Sequence, residues 1–239
     1  MFKHTILVAA VAGMVLALGT SAGAYSVTIV NPGFETMALA DGVWDYMMDN
    51  EGWGYFANTG YVGSWDIDSG YYGGTPPEGE NVGWANPGSA APGGFAQVLT
   101  ETLATGMTYT LTVEVGNALG YDWSGYCVQL LAGGIPQATG DGTNRTGEVT
   151  GGILLAQDNN SLTIVEDTFV TSTVVYTYNP AHSAYLGDPL QIRLLCNFEI
   201  TDYEEAQFDD VKLDATPEPA TLALLGLGGL GLVLGRKRK

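Results

Sequence analysis

Residues 108–115 read Thr-Tyr-Thr-Leu-Thr-Val-Glu-Val, with a large apolar side chain at every second position. Successive side chains of a strand point to opposite faces. Tyr109, Leu111, Val113 and Val115 are therefore expected to face a core, and Thr108, Thr110, Thr112 and Glu114 to face out. Residues 126–131, 171–178, 190–196 and 207–213 also read as strands. Clusters of Gly, Asn and Asp at 117–120, 133–134, 139–142 and 158–160 separate them. No segment between 25 and 215 has convincing helical periodicity. Many short strands divided by turn signals predict an all-β fold, an antiparallel jelly-roll β-sandwich occupying residues 25–215 as one domain. Residues 40–95 are rich in Gly, Trp and Tyr in short runs, and read as long loops with a few short strands on the same core.

The chain has 239 residues, 46% hydrophobic and 14% charged, which suits one sizeable domain and excludes disorder throughout. Its formal charge is −18, and the charge is unevenly placed. Between 25 and 215 there are 25 acids and only three basic residues, Arg145, Arg193 and Lys212. So acidic a body excludes nucleic acid as a partner, because backbone phosphates need a basic surface.

The other basic residues lie at the two ends. Lys3, the apolar run 6–18 and Ala22-Gly23-Ala24 have the three parts of a secretory signal peptide over residues 1–24, with the mature chain starting at Tyr25. At the other end, Pro217, Glu218 and Pro219 precede an uncharged stretch, 220–235, that reads as a hydrophobic transmembrane helix. Arg236, Lys237, Arg238 and Lys239 follow, and would stay on the cytoplasmic side. Residues 216–239 thus form a third region, whose part 217–239 resembles the PEP-CTERM sorting signal. That resemblance implies a Gram-negative bacterium that makes exopolysaccharide. It also implies transient anchoring in the inner membrane, processing near Pro217, Glu218 and Pro219 by an exosortase, and delivery to the cell envelope or extracellular matrix. A C-terminal anchor that is never cut is the plainer alternative.

Two segments at opposite ends of the body carry acids. They are Val30-Asn-Pro-Gly-Phe-Glu-Thr36 and Gln207-Phe-Asp-Asp-Val-Lys-Leu213. First and last strands of antiparallel sandwiches often meet, so Glu35 and Asp209 are candidates to share one cation with backbone carbonyls. Hard oxygen ligands and high negative charge suit Ca²⁺. The same two motifs, with the strand order between them, resemble the jelly-roll carbohydrate-binding modules of families 4, 9 and 22 and related galactose-binding-like domains. The resemblance spans roughly residues 27–214. It implies a structural calcium held by Glu35 and Asp209, with Asp210 a weaker candidate. Asp66-Ile-Asp-Ser-Gly70 opens like a calcium loop, but position twelve is Pro77, so no EF-hand is present.

All five Trp lie between 44 and 123, interspersed with Tyr. Sugar rings stack their C–H faces on such side chains, and Trp44, Trp53 and Trp84, set among polar or Gly neighbours, are the candidate ligand-binding residues. Packing of loops on the sandwich is the competing reading for each. Cys127 and Cys196 lie in strand-like runs, and are either a disulfide or two buried thiols.

For catalysis, neither a Gly-x-Ser-x-Gly elbow nor a His-Glu-x-x-His motif occurs, and His182 is the one histidine of the body. The hapalindole-type cyclases of cyanobacteria share this jelly-roll family and use a carboxylic acid in an aromatic pocket. That likeness is of fold alone, and no acid of this chain is matched to theirs. The expectation is a secreted, non-catalytic protein that binds or organises extracellular polysaccharide. A ligand-free matrix protein and a glycosidase or cyclase-like enzyme are the alternatives.

Overall fold

A computed structural model describes residues 23–46, 52–56, 61–67, 70–72, 75–87, 92–135, 149–197 and 204–218. The signal peptide up to residue 22, Pro219 and the C-terminal apolar segment lie outside the described residues. Among those described, no helix is long and apolar enough to cross a membrane.

Twelve strands are described: β1 (Tyr25–Val27), β2 (Trp44–Tyr46), β3 (Gly54–Phe56), β4 (Tyr61–Asp66), β5 (Asn81–Asn86), β6 (Gly93–Thr102), β7 (Met107–Asn117), β8 (Tyr126–Ala132), β9 (Ile153–Asn159), β10 (Thr168–Thr177), β11 (Pro189–Cys196) and β12 (Ala206–Pro217). They form two antiparallel sheets packed as a sandwich. One runs β10-β7-β12-β5-β4-β2, with β1 beside β12; the other runs β3-β6-β11-β8-β9. The first and last strands do meet, at β1 and β12. The compact unit is Ser26–Ala215.

The alternation along β7 holds. Tyr109, Leu111, Val113 and Val115 are buried, and lie opposite Tyr176, Val174, Ser172 and Val170 of β10. Facing them across the sandwich are Val128 and Leu130 of β8 and Ile192 and Leu194 of β11. One buried carboxylate stitches this core together. Asp158 of β9 accepts from Tyr126 Oη of β8 at 2.6 Å, from Ser172 Oγ of β10 at 2.7 Å and from the Ser161 amide at 3.1 Å.

The few short strands expected among the loops of 40–95 are β2 to β5, with the start of β6. The strands β4 and β5 are buried on both faces, which erases the alternation that marks a half-exposed strand. Gly83 sits inside β5 because a Cβ would fall 2.5–2.7 Å from the Phe34 ring.

The reading of Trp53 is corrected. It is 4% exposed, stacks on Phe34 at 5.5 Å and donates its indole N–H to the Asn31 carbonyl at 2.9 Å. It is a core plug beneath the 31–35 loop and offers no face to a ligand.

The disulfide is excluded by strand register. In the β8–β11 pair, Cys127 lies opposite Leu195 and Cys196 opposite Tyr126. An offset of one residue places the two side chains on opposite faces of the sheet, and both thiols are free and buried.

Candidate active site

The pleat that sends Val62 and Ala85 to the core sends another set to the outer face of the larger sheet. Trp44 and Tyr46 of β2 pair with Trp65 and Gly63 of β4. Tyr61, Gly63 and Trp65 pair with Asn86, Trp84 and Val82 of β5. Trp84 in turn faces Gln207 of β12. Directly paired residues share a face, so three strands bring their aromatic side chains together there, beside Gln207 of the fourth. Under them Trp65, Tyr72, Val82 and Trp84 form a second hydrophobic cluster, separate from the sandwich core.

A cavity of about 330 Å³ opens in this face. Its walls are Trp44, Tyr46, Tyr61, Trp65, Trp84 and Tyr121, with Asn86 and Glu205 as the polar members. The rings stand at steep angles: Trp44 to Trp84 at 79° and 5.5 Å, Trp44 to Tyr46 at 78° and 5.4 Å, Tyr46 to Trp84 at 52° and 5.8 Å. The bare Cα of Gly63 makes this possible, because a Cβ there would lie 2.6 Å from Trp84 Nε1. Trp44, Tyr46 and Tyr61 are 40–50% exposed and continue the aromatic surface out to solvent.

Glu205 is the acid of this cavity, and it is only 7% exposed. Burial pushes its carboxyl up to about 8, against a smaller opposing effect of the hydrogen bond from Gln207. Gln207 Nε2 donates to Glu205 Oε1 at 2.7 Å. The Gln207 oxygen is taken by Tyr72 Oη at 2.7 Å and the Ala118 amide at 3.1 Å. Gly116 leaves room for this network, since a Cβ would come 2.7 Å from Tyr72 Oη. Burial first, and then the Glu205 and Tyr71 charges, push the Tyr121 hydroxyl up to about 12, so it remains an O–H donor at neutral pH. The site therefore holds a neutral carboxylic acid at pH 7, walled by π faces. Such an acid can give up a proton to a bound substrate, and the rings can face the positive charge that results.

Glu35 and Asp209 act elsewhere. Both grip one turn, residues 78–81. Asp209 accepts from the Glu78 amide at 2.8 Å and the Asp210 amide at 2.7 Å. Glu35 accepts from the amides of Glu80 at 3.0 Å and Asn81 at 2.8 Å. Burial raises both carboxyls, Asp209 to about 8, and neighbouring acids add to this: Glu78 and Asp210 for Asp209, Glu78 and Glu80 for Glu35. Gly33 and Gly79 are cradles for these acids. A Cβ on Gly33 would strike Glu78 Oε2 and lie 3.5 Å from Asp209 Oδ1, and one on Gly79 would strike the Glu35 carboxyl. Asp210 turns to Lys212, 2.5 Å away. The donor set is hard oxygen, as calcium requires. Among the described residues no three His, Cys, Asp or Glu are placed to hold a metal by themselves. A cation here would draw its remaining oxygens from backbone carbonyls and water.

Of the aromatics singled out from sequence, Trp44 and Trp84 line the cavity and Trp53 does not. Tyr46, Tyr61, Trp65, Tyr121 and Glu205 were missed. Glu205 is one acid among 25 in the body, and only the register of β5 on β12 singles it out. Asp66 is buried in β4, and Asp68 lies outside the described residues. His182 is held by Tyr176 Oη at 3.0 Å in a short 3₁₀ turn, Pro180–Tyr185, away from the cavity. Pro217 ends β12 and Glu218 follows it.

Residues 25–214 match the family described as HpiC1 cyclase, and residues 215–239 match the PEP-CTERM protein-sorting motif. Among solved structures, the chain is similar to the Stig cyclase FisC of Fischerella sp. TAU in complex with (3Z)-3-(1-methyl-2-pyrrolidinylidene)-3H-indole. Identity is 30% and TM-score 0.67, over 82% of this chain and all of that one. A cyclase from the same organism in complex with 4-(1H-indol-3-yl)butan-2-one is 29% identical, with TM-score 0.66, over 81% of this chain and 98% of that one. The CBM22-1–CBM22-2 tandem domain of Paenibacillus barcinonensis Xyn10C superposes more loosely, at 12% identity and TM-score 0.48, over 84% of this chain and 49% of that one. No curated protein matches the chain. The sorting motif makes this a secreted, exosortase-processed protein of the cell envelope. Its body, over residues 25–214, belongs to the HpiC1-like cyclase family.

Proposed function

We propose that this protein is an acid catalyst of the cyclase type, acting outside the cell on a small, electron-rich aromatic compound. The observation that carries this reading is Glu205, a buried carboxylic acid protonated at neutral pH and facing a cavity walled by six aromatic side chains. Gln207 occupies Oε1, so the acid proton sits on Oε2. That proton passes to a π-bonded carbon or a basic nitrogen of the substrate, leaving a substrate cation beside a carboxylate. The aromatic walls stabilise the cation, and loss of a proton from a neighbouring position restores Glu205. The indole ligands in the two Fischerella structures support an indole-sized substrate, which a cavity of about 330 Å³ suits.

The test is deuterium uptake. A 3-substituted indole in D₂O is expected to exchange ring hydrogens faster with the protein than without it, and the acceleration is expected to vanish in Glu205→Gln. Exchange by Glu205→Gln at the wild-type rate would overturn the proposal.

A second reading rests on Trp44, Tyr46 and Tyr61, exposed at the mouth of the cavity. They support binding of extracellular polysaccharide by stacking, with or without chemistry in the cavity. We also propose that Ca²⁺ sits by Glu35 and Asp209, and that the segment after Pro219 anchors the protein in the inner membrane until it is processed.

A further inference from the structure

We infer that the ligand for which this cavity is built is an organic cation, an ammonium or iminium group on an aromatic body. The inference rests on the proposal that Glu205 is the working acid of the site: a bound ammonium beside the Glu205 carboxylate reproduces the cation–carboxylate pair that proton transfer creates, and is not itself protonated by Glu205.

Three observations carry it. The first is the wall geometry. Trp44, Trp84 and Tyr46 meet at 52–79°, two of the three pairs edge to face, and with Tyr61, Trp65 and Tyr121 they wall the cavity. Each ring face carries the negative part of the ring quadrupole, and a cavity walled by six aromatic side chains is a cage that attracts positive charge.

The second is the company that Glu205 keeps. The one hydrogen bond of its carboxyl among the described residues comes from a neutral amide. Among the described residues the titratable groups around it are carboxyls, hydroxyls and a thiol: Tyr72, Tyr121 and Cys196, whose own titration its charge raises, Glu204 beside it, and Asp122, whose carbonyl receives the Glu205 amide. Of the three basic residues of the body, Lys212 pairs with Asp210, and Arg193 lies over Phe56 on the other sheet. Among the described residues the carboxyl is thus a buried acid without a counter-cation, Arg145 lying outside them.

The third is long-range. A body with 25 acids and three basic residues sets up a field that draws cations towards the cleft and repels anions.

Binding then has a definite proton balance. The cation enters as such, Glu205 gives its proton to solvent, and carboxylate and ammonium pair inside the cage. With Glu205 titrating at about 8, about nine-tenths of a proton leaves per ligand at pH 7, and about one-tenth at pH 9.

The probes are tryptamine and 3-propylindole, which share shape and differ in charge. Calorimetry of the purified protein in two buffers of different ionisation heat gives affinity and proton count together. The expected result is tryptamine bound at least tenfold tighter than 3-propylindole at pH 7.5, with proton release that fades towards pH 9. Glu205→Gln is expected to erase the preference and the proton release while still binding 3-propylindole, which shows that the cage remains folded. Equal affinity for the two probes, no proton release, or no binding of tryptamine would overturn the inference. In the first two cases acid catalysis on a neutral ligand stands, because the deuterium-exchange test is independent. A Glu205 carboxyl found by NMR to titrate near 4 would remove both.

Discussion

Gln207 and Glu205 are joined by a hydrogen bond whose direction is fixed from behind. Gln207 Nε2 lies 2.7 Å from Glu205 Oε1, while the Gln207 oxygen is held by Tyr72 Oη and the Ala118 amide. Turning the amide over would set two donors against its NH₂ and its oxygen against the carboxyl. Gln207 therefore always donates, Oε1 always accepts, and Oε2 is left to carry the acid proton.

The consequence is a shift in pH profile. Glu205 works as a proton donor, so exchange activity is expected to be flat below neutrality and to fall as pH rises through about 8. The Gln207 bond favours the ionised form and holds the titration down. Gln207→Met is expected to move the falling limb up by about one pH unit, the worth of one hydrogen bond to a charged group. Tyr72→Phe, which frees only one of the two donors behind the amide, is expected to move it less. A rate–pH profile of each variant measures this. A limb in the same place in all three proteins would mean that Gln207 does not act on Glu205.

Stability has its own pH dependence, with two opposite contributions. Glu205 and Asp209 titrate at about 8 in the folded protein, far above their unfolded values. Above pH 4–5 the unfolded chain ionises them while the fold resists, so stability falls steadily up to about pH 8 and then levels off. Asp158 is lowered: its hydrogen bonds from Ser161, Tyr126 and Ser172 together outweigh burial, the largest single effect. Its contribution is present above pH 4 and is lost as pH falls through its folded value. Thermal melts of metal-free protein are expected to give the highest Tm near pH 5. At pH 8 Glu205→Gln is expected to melt at least 2–4 °C above the wild type, as removal of a buried charge costing 1 kcal/mol or more would do. A Tm that rises from pH 5 to 8 would contradict both titrations.

How much of this was legible in the sequence depended on what covered each strand. The strand β7 has core on one side and solvent on the other, so its pattern reads off directly as Tyr109, Leu111, Val113 and Val115. The strands β4 and β5 have core on one side and the aromatic cluster on the other. With both faces buried, period two disappears, and Gly63 and Gly83 look like turn residues although they make room for Trp84 and Phe34. The site followed the same rule. Trp44 and Trp84 stood out as aromatics among polar neighbours. Trp53 stood out for the same reason but faces inward, because the 31–35 loop folds over it. The acidic motifs at the two ends of the body did come together, around the turn 78–81. Glu205 depended on a pairing between residues more than a hundred positions apart, which no local pattern encodes.

The Asp158 hub is expected to be the most sensitive single polar site in the sandwich. It accepts two hydroxyls and an amide within 3.1 Å and joins β8, β9 and β10. Asp158→Ala leaves Tyr126 Oη and Ser172 Oγ buried without an acceptor, a loss of roughly 2–4 kcal/mol. Urea unfolding at pH 7 measures it. A loss under 1 kcal/mol would mean that water takes the place of the carboxylate.

Calcium is expected to bind where Asp209 is costly without it. A cation beside Asp209 and Glu35 would hold both carboxyls ionised and offset the mutual repulsion with Glu78. Adding millimolar Ca²⁺ to metal-free protein is expected to raise Tm, and more at pH 8 than at pH 5, where protons compete for the same oxygens. Asp209→Asn is expected to abolish the response. An unchanged Tm in the wild type would leave the two acids as anchors of the turn 78–81 and nothing more.

The two cysteines give the last prediction, because export to an oxidising compartment would ordinarily invite a bond between them. Adjacent strands bring them within one register position, and that single position separates them. Cys196 faces the core with Leu194 and Ile192, and Cys127 faces the opposite side with Gln157 Oε1 at 3.6 Å. Closing a bond would require β8 to slip by one residue against β11, turning Val128 and Leu130 out of the core. Burial also pushes the Cys127 thiol up to about 11, so little thiolate is available to start the exchange. The folded protein is therefore expected to show two thiols only after denaturation, the same mass with and without reductant, and a Tm that reductant leaves unchanged. A mass two units lower that reductant reverses would show the register between β8 and β11 to be wrong.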